Sequence, residues 1–213
     1  MEDLFNMLFR FGHILVGITW IGLLYYFNFI QTEYFKEAEE NARKDAVAKL
    51  APRALWWFRW AAFLTFLTGL ALLHYISVKI TLEIILGATM GTLMMLNVWG
   101  IIWPNQKIVI GLKEGDVAVA GPKAGLASRT NTLFSVGMLY FMVASAHYPA
   151  SGQVLGANLE MTGTGLLVGL AVIFAIQANA IWGKMLPAIA SVRSVIISSF
   201  VLCVGLSSVV YYL

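Results

Sequence analysis

Three histidines, one glutamate and a scatter of arginines and amides carry what chemistry this sequence offers. His13 stands in FGHILVG, His74 in LLHYIS, His147 in SAHYP and Glu83 in TLEIIL, each inside or at the edge of a long apolar run. Polar groups in such runs are costly in lipid, so they face a bundle interior, a cofactor or a water-filled cavity. Neutral imidazole binds haem iron, copper, zinc and non-haem iron, and facing helices of a bundle are a natural frame for such a site. A second set, Asn28, Arg59, Asn97, Asn105, Gln106, Arg129, Asn131, Gln177 and Asn179, recurs near the other ends of the same runs. Arginines there suit haem propionates or a quinone head group. They also stand where snorkelling cations belong, and asparagines near helix ends cap or bridge helices.

The runs that must position these groups number six, at about Leu8–Ile30, Leu55–Ser77, Ile80–Trp103, Thr130–Tyr148, Thr162–Trp182 and Val192–Tyr212. Each is near the roughly 20 residues that cross a hydrocarbon core about 30 Å thick. The expected fold is therefore an all-α integral membrane protein, one transmembrane domain over residues 1–213 built as a six-helix bundle. Composition agrees: 60% of the 213 residues are hydrophobic and 12% charged, far from the soluble mix. The first run follows Glu2 and Asp3 rather than a basic head, so it reads as a retained helix and not a signal peptide.

Twelve of the fourteen Lys and Arg fall in segments 31–59, 104–129 and 183–193, which are alternate loops. The positive-inside rule places these loops in the cytoplasm and both termini outside. The net charge of +3 is then a topological signal, and no nucleic-acid partner is expected. Trp56, Trp57, Trp60, Trp99, Trp103 and Trp182 gather at the same ends, as interfacial indoles do. Residues 31–53 read as a solvated continuation of the first helix up to Pro52, and residues 104–128 as a cytoplasmic loop with at most a short helix. Cys203 is the only cysteine, which excludes a disulfide framework and a CxxCH haem attachment.

This topology brings His13, His74, His147 and Glu83 to within about 10 Å of the outer interface, at 1.5 Å rise per residue. The expected cofactor is a b-type haem, with His13 and His74 as preferred axial ligands and His147 as the competing ligand or a proton-transfer group. Gly12, Gly17 and Gly69 would allow a flat group to approach. The alternative is a single copper, zinc or iron ion on His13, His74, His147 and Glu83. A third reading makes the chain a non-catalytic anchor whose histidines bond water or backbone.

The stretches FGHILVGITWIGLLYYFNF (11–29), WWFRWAAFLTFLTG (56–69), NVWGIIWPNQK (97–107) and ASRTNTLFSVGMLYFMVASAHYP (127–149) resemble the N-terminal membrane domain of bacterial membrane-bound urate oxidases. In that family a helical bundle precedes a cytochrome c domain. The likeness spans roughly residues 8–149, and a weaker one links the GHI…W start to the haem-binding membrane protoporphyrinogen oxidases. The resemblance implies an oxidoreductase, or a subunit of one, in the bacterial inner membrane, exchanging electrons with a cytochrome c on the outer face. No CxxCH follows in this sequence, nor any motif of the soluble urate oxidases. The expected arrangement is a partner carrying the electron-transfer domain, within a larger membrane complex or a homo-oligomer, or a different function on the same bundle.

Overall fold

The computed structural model describes residues 1–76, 80–148, 154–155 and 164–213. Six long helices run through these residues: α1 (Glu2–Glu37), α2 (Glu40–Tyr75), α3 (Leu82–Val109), α4 (Val117–His147), α5 (Thr164–Trp182) and α7 (Val192–Tyr212), with a single turn, α6 (Pro187–Ala190), before the last. Five of them, all but α4, are long and apolar enough to cross a membrane. The exception is instructive. α4 is the most deeply packed helix of the bundle, and it carries Thr130, Asn131, Thr132 and Ser135, all buried, where a lipid-facing helix would carry apolar residues.

Helix boundaries depart from the sequence reading mainly at the charged end. The expected loop 104–128 shrinks to a short turn, because α3 continues through Pro104 to Val109 and α4 begins at Val117. Asp116 caps α4, its side chain accepting from the Ala118 amide at 2.8 Å. Pro122, expected to mark a loop, lies inside the helix; it forgoes only one backbone bond, close to the helix start. Gly111, at φ 76°, makes the turn after α3. The first helix does extend beyond Ile30, but it stops at Glu37, where Ala38 turns to an extended conformation, and α2 then runs unbroken through Pro52. The expected ends at Ser77 and Thr162 lie outside the described residues.

Three wide π-helical turns interrupt the ladders, at Tyr26–Gln31, Ala46–Leu50 and Val98–Ile102. Two of them stand just before Pro52 and Pro104, whose missing N–H groups break the regular bonding there. The third has no proline near it. In its place Asn28 donates to the Leu24 carbonyl at 2.9 Å and Thr32 donates to that of Phe27 at 2.6 Å.

α1 and α2 form an antiparallel hairpin that packs on the rest of the bundle chiefly through its inner half, by Trp20, Leu24 and Phe58. The core behind it is rich in methionine: Met90, Met94, Met95 and Met138 meet Phe134 and Phe141. Gly87 and Gly91 let α3 close on Met138 and Met142 of α4, and Gly165 brings α5 against the backbone of α7 at Val209. These small residues therefore serve packing within the chain. At the opposite end Ile80–Thr81 pairs antiparallel with Val154–Leu155. Thr81 caps α3 and donates to Ser145 at 2.9 Å, tying the starts of α3 and ends of α4 together.

Candidate functional site: an oriented histidine and a buried arginine

His13 is half-buried between α1 and α2. Its Nδ1 lies 3.0 Å from Thr68 Oγ1. The Thr68 hydroxyl has one hydrogen, and it is directed to the backbone carbonyls of Leu64 at 2.7 Å and Thr65 at 3.0 Å. With that hydrogen on a helix carbonyl, the oxygen is an acceptor for the imidazole Nδ1–H, the tautomer that keeps the lone pair on Nε2. This is how a hydrogen bond from the other ring nitrogen prepares a histidine for a metal. Gly69 opens the seat: a Cβ there would stand 3.2 Å from His13 Cε1. A single imidazole beside a glycine is the kind of donor that would hold haem iron.

The remaining members of the outer set are more dispersed. His74 and His147 are exposed, at the ends of α2 and α4. On α2, His74 follows the Gly69 that faces His13 by five residues, a rotation of about 140° at 3.6 residues per turn. Its ring rests against Tyr75. Glu83 is fully buried at the start of α3, with Tyr211 near it; Tyr211 bonds to Tyr140 at 3.2 Å. Among the described residues no three His, Cys, Asp or Glu side chains converge closely enough to share an ion. Cys203 is buried in α7.

The inner polar set sorts into two kinds. Asn97, Asn131 and Gln177 satisfy one another across α3, α4 and α5: Asn97 Nδ2 donates to Asn131 Oδ1 at 2.8 Å and to Gln177 Oε1 at 2.9 Å, and Gln177 Nε2 returns a bond to Asn97 Oδ1 at 2.6 Å. Asn131 Nδ2 adds the Met94 carbonyl at 2.9 Å. Such a closed network glues helices and leaves little for a ligand. Asn105 and Asn179 bond backbone carbonyls, of Ile101 and Lys184. Arg59 lies over the Trp103 ring at 3.9 Å while its carbonyl accepts from Trp99 Nε1. It belongs to the aromatic belt of Trp56, Trp60 and Trp99.

Arg129 differs from all of these. It is 5% exposed and forms no hydrogen bond or ion pair among the described residues, and its Nη1 is buried without a partner. It lines a cavity of about 240 Å³ with Asn28, Gln31, Gln106 and Ser128 at the charged end of the bundle. Sequence reasoning singled out Asn28, Gln106 and Arg129 but not Gln31 or Ser128. The available signal was Gln31 one turn from Asn28, and Ser128 beside Arg129.

The segment that supplies most of this inner end can be compared with known families. Residues 79–174 match the urate oxidase N-terminal family. The matched segment comprises α3, α4 and the first half of α5, including Glu83, Gln106, Ser128, Arg129, Asn131 and His147. It reaches further along the chain than the quoted motifs, which end at residue 149, and it begins after the α1–α2 hairpin that holds His13. No curated protein and no solved structure matches the chain. The family likeness over this segment, with the apolar helices, suits a membrane-associated protein.

Proposed function

We propose that the chain is a redox protein of the bacterial inner membrane, built on the urate oxidase N-terminal type of bundle, that binds a b-type haem at His13 and exchanges electrons with a periplasmic cytochrome or partner subunit. The observation that carries this reading is the His13 seat, where the Thr68 hydroxyl lies 3.0 Å from Nδ1 and is placed to accept its proton. Haem would supply one-electron chemistry there. The chain's own part is to present the imidazole, fix its tautomer and exclude a side chain at Gly69. In this reading the six long helices all cross the bilayer. The end bearing twelve of fourteen Lys and Arg faces the cytoplasm, and His13 and both termini lie toward the periplasm, within reach of a soluble electron partner.

The exposed outer half of α1, with Phe5, Leu8, Phe11, Leu15 and Ile18, supports a second reading as the membrane subunit of a larger complex, because these side chains stay largely uncovered among the described residues. The two readings are compatible.

The test is a reduced-minus-oxidised visible spectrum of the detergent-purified chain, with pyridine haemochrome and metal analysis on the same sample. One b-type haem per chain is expected. His13→Ala should abolish or shift the Soret band, and His147→Ala should leave it unchanged. Metal without porphyrin would move the reading to an ion site on the same ring. A colourless, metal-free protein would end the cofactor proposal and favour the subunit reading.

A further inference from the structure

Arg129 sits where a guanidinium is expensive. A buried cation without a partner carries a desolvation cost of several kcal/mol that a matched anion offsets. Among the described residues the carboxylate whose field reaches it is that of Glu33, and that side chain already accepts two 2.8 Å bonds from Lys36. Guanidinium Nη1 is therefore a donor aimed at nothing the described residues supply. Around it stand the side-chain amides of Gln31 and Gln106, while Asn28 keeps one edge committed to the Leu24 carbonyl and to Ser128 at 2.8 Å. Phe27 and Phe58, in edge-to-face contact at 5.4 Å, add aromatic wall. A second feature marks the same place. The π-turn Tyr26–Gln31, the one wide turn without a proline to cause it, carries Phe27, Asn28 and Gln31 to the cavity. Single wide turns of this kind concentrate at functional sites, because they turn side chains that a regular helix would direct elsewhere.

We infer that this cavity is a binding site for a small oxyanion on a flat or apolar body, gripped by Arg129 and oriented by Gln31 and Gln106. The site is separate from the His13 seat. Asn28, which adjoins it, follows His13 by fifteen residues of α1, about 22 Å at 1.5 Å per residue. The haem reading and the anion site therefore stand or fall independently. The oxyanion has two conceivable sources, a soluble carboxylate entering from the charged face or the phosphate of an anionic lipid at that interface, and the recognising chemistry is the same.

The experiment uses the full chain in nanodiscs of phosphatidylcholine alone, with benzoate as probe and neutral benzamide as control, read by calorimetry or by thermal shift. Benzoate should bind and benzamide should not. Arg129→Gln should weaken benzoate at least tenfold, and Gln31→Ala and Gln106→Ala a few-fold each, in protein whose helix content and size-exclusion profile match the parent. Should Arg129→Gln fail to fold, the two glutamine variants carry the test, since each can be removed without stranding a charge. If phosphatidylglycerol in the nanodisc displaces benzoate, and native mass spectrometry finds it retained by the parent but not by Arg129→Gln, the oxyanion site is upheld and its source is the lipid. If neither benzoate nor phosphatidylglycerol binds in an Arg129-dependent way, the inference is overturned, whatever the visible spectrum shows.

Discussion

The outer half of the α1–α2 hairpin and the inner half of α4 are built on opposite principles. In the hairpin, α1 from Leu4 to Ile18 is largely exposed, and the polar contact that joins the two helices there is that of His13 with Thr68. In α4, from Leu126 to Ser135, nearly every side chain is buried. Polar groups there bond on three sides: Tyr25 of α1 meets Ser135 at 2.9 Å, Asn97 of α3 meets Asn131, and Ser199 of α7 donates to the Thr132 carbonyl at 3.0 Å. One region is an apolar rod carrying one oriented ring; the other is a polar hub that fixes the arrangement of its neighbours. A bundle in lipid gains little from burying leucine, because the solvent is as apolar as the core. Hydrogen bonds and close packing must then specify which helix lies where. The contrast implies that substitutions in the hub should cost stability, whereas those in the outer hairpin should cost function first.

The sharpest way to break this contrast is Asn131→Leu. It strips a partner from Asn97 and the Met94 carbonyl at once, in a fully buried region. A loss of about 2–3 kcal/mol is expected, measured as a lower midpoint in detergent–SDS unfolding or a lower Tm. An unchanged midpoint would mean that the network is incidental and the methionine core alone holds α3 to α4. Next in size is Gly165→Ala. Its Cβ would stand 2.5 Å from the Val209 carbonyl oxygen, so α5 and α7 must separate; about 1–3 kcal/mol is the usual cost of such overpacking. The same assay, together with gel-filtration homogeneity, checks it. Tolerance at Gly165 would show that α7 adjusts easily and is not locked by the hub.

Much of this architecture was legible in the sequence. Six apolar runs gave six helices, and the alternation of basic segments gathered residues 31–59, 104–129 and 183–193 at one end, where the Arg129 cavity draws on all three. What stayed hidden has physical causes. The start of α4 was obscured because Gly121, Pro122 and Gly125 are loop-formers by propensity, yet here the glycines stand on the open side of the helix while Ala120, Ala124 and Ala127 are buried. Residue counts along a helix do not give azimuth. Hence His13 meets Thr68 and Gly69, whereas His74, five residues further along α2, lies on another face. The inner amides looked alike in sequence, and only their partners separate the closed Asn97–Asn131–Gln177 network from the open Arg129 cavity.

The smallest expected effect on stability falls in the hairpin, and it tests the oriented ring directly. Thr68→Val keeps the volume of the side chain but removes the acceptor for the His13 Nδ1–H. The hydroxyl is part-buried, so the loss of folding free energy should stay near 1 kcal/mol. The ring, however, is released to rotate and to exchange tautomers, and outer-shell losses of this kind weaken a metal about 10- to 100-fold. Thr68→Val should therefore lower haem retention through purification and broaden or shift the Soret band, while Thr68→Ser, which restores the acceptor, should behave as the parent. If valine and serine variants retain haem equally, Thr68 does not orient the ligand. If valine instead lowers the unfolding midpoint as far as Asn131→Leu does, the hairpin is as much a stability element as the hub, and the division between the two regions fails.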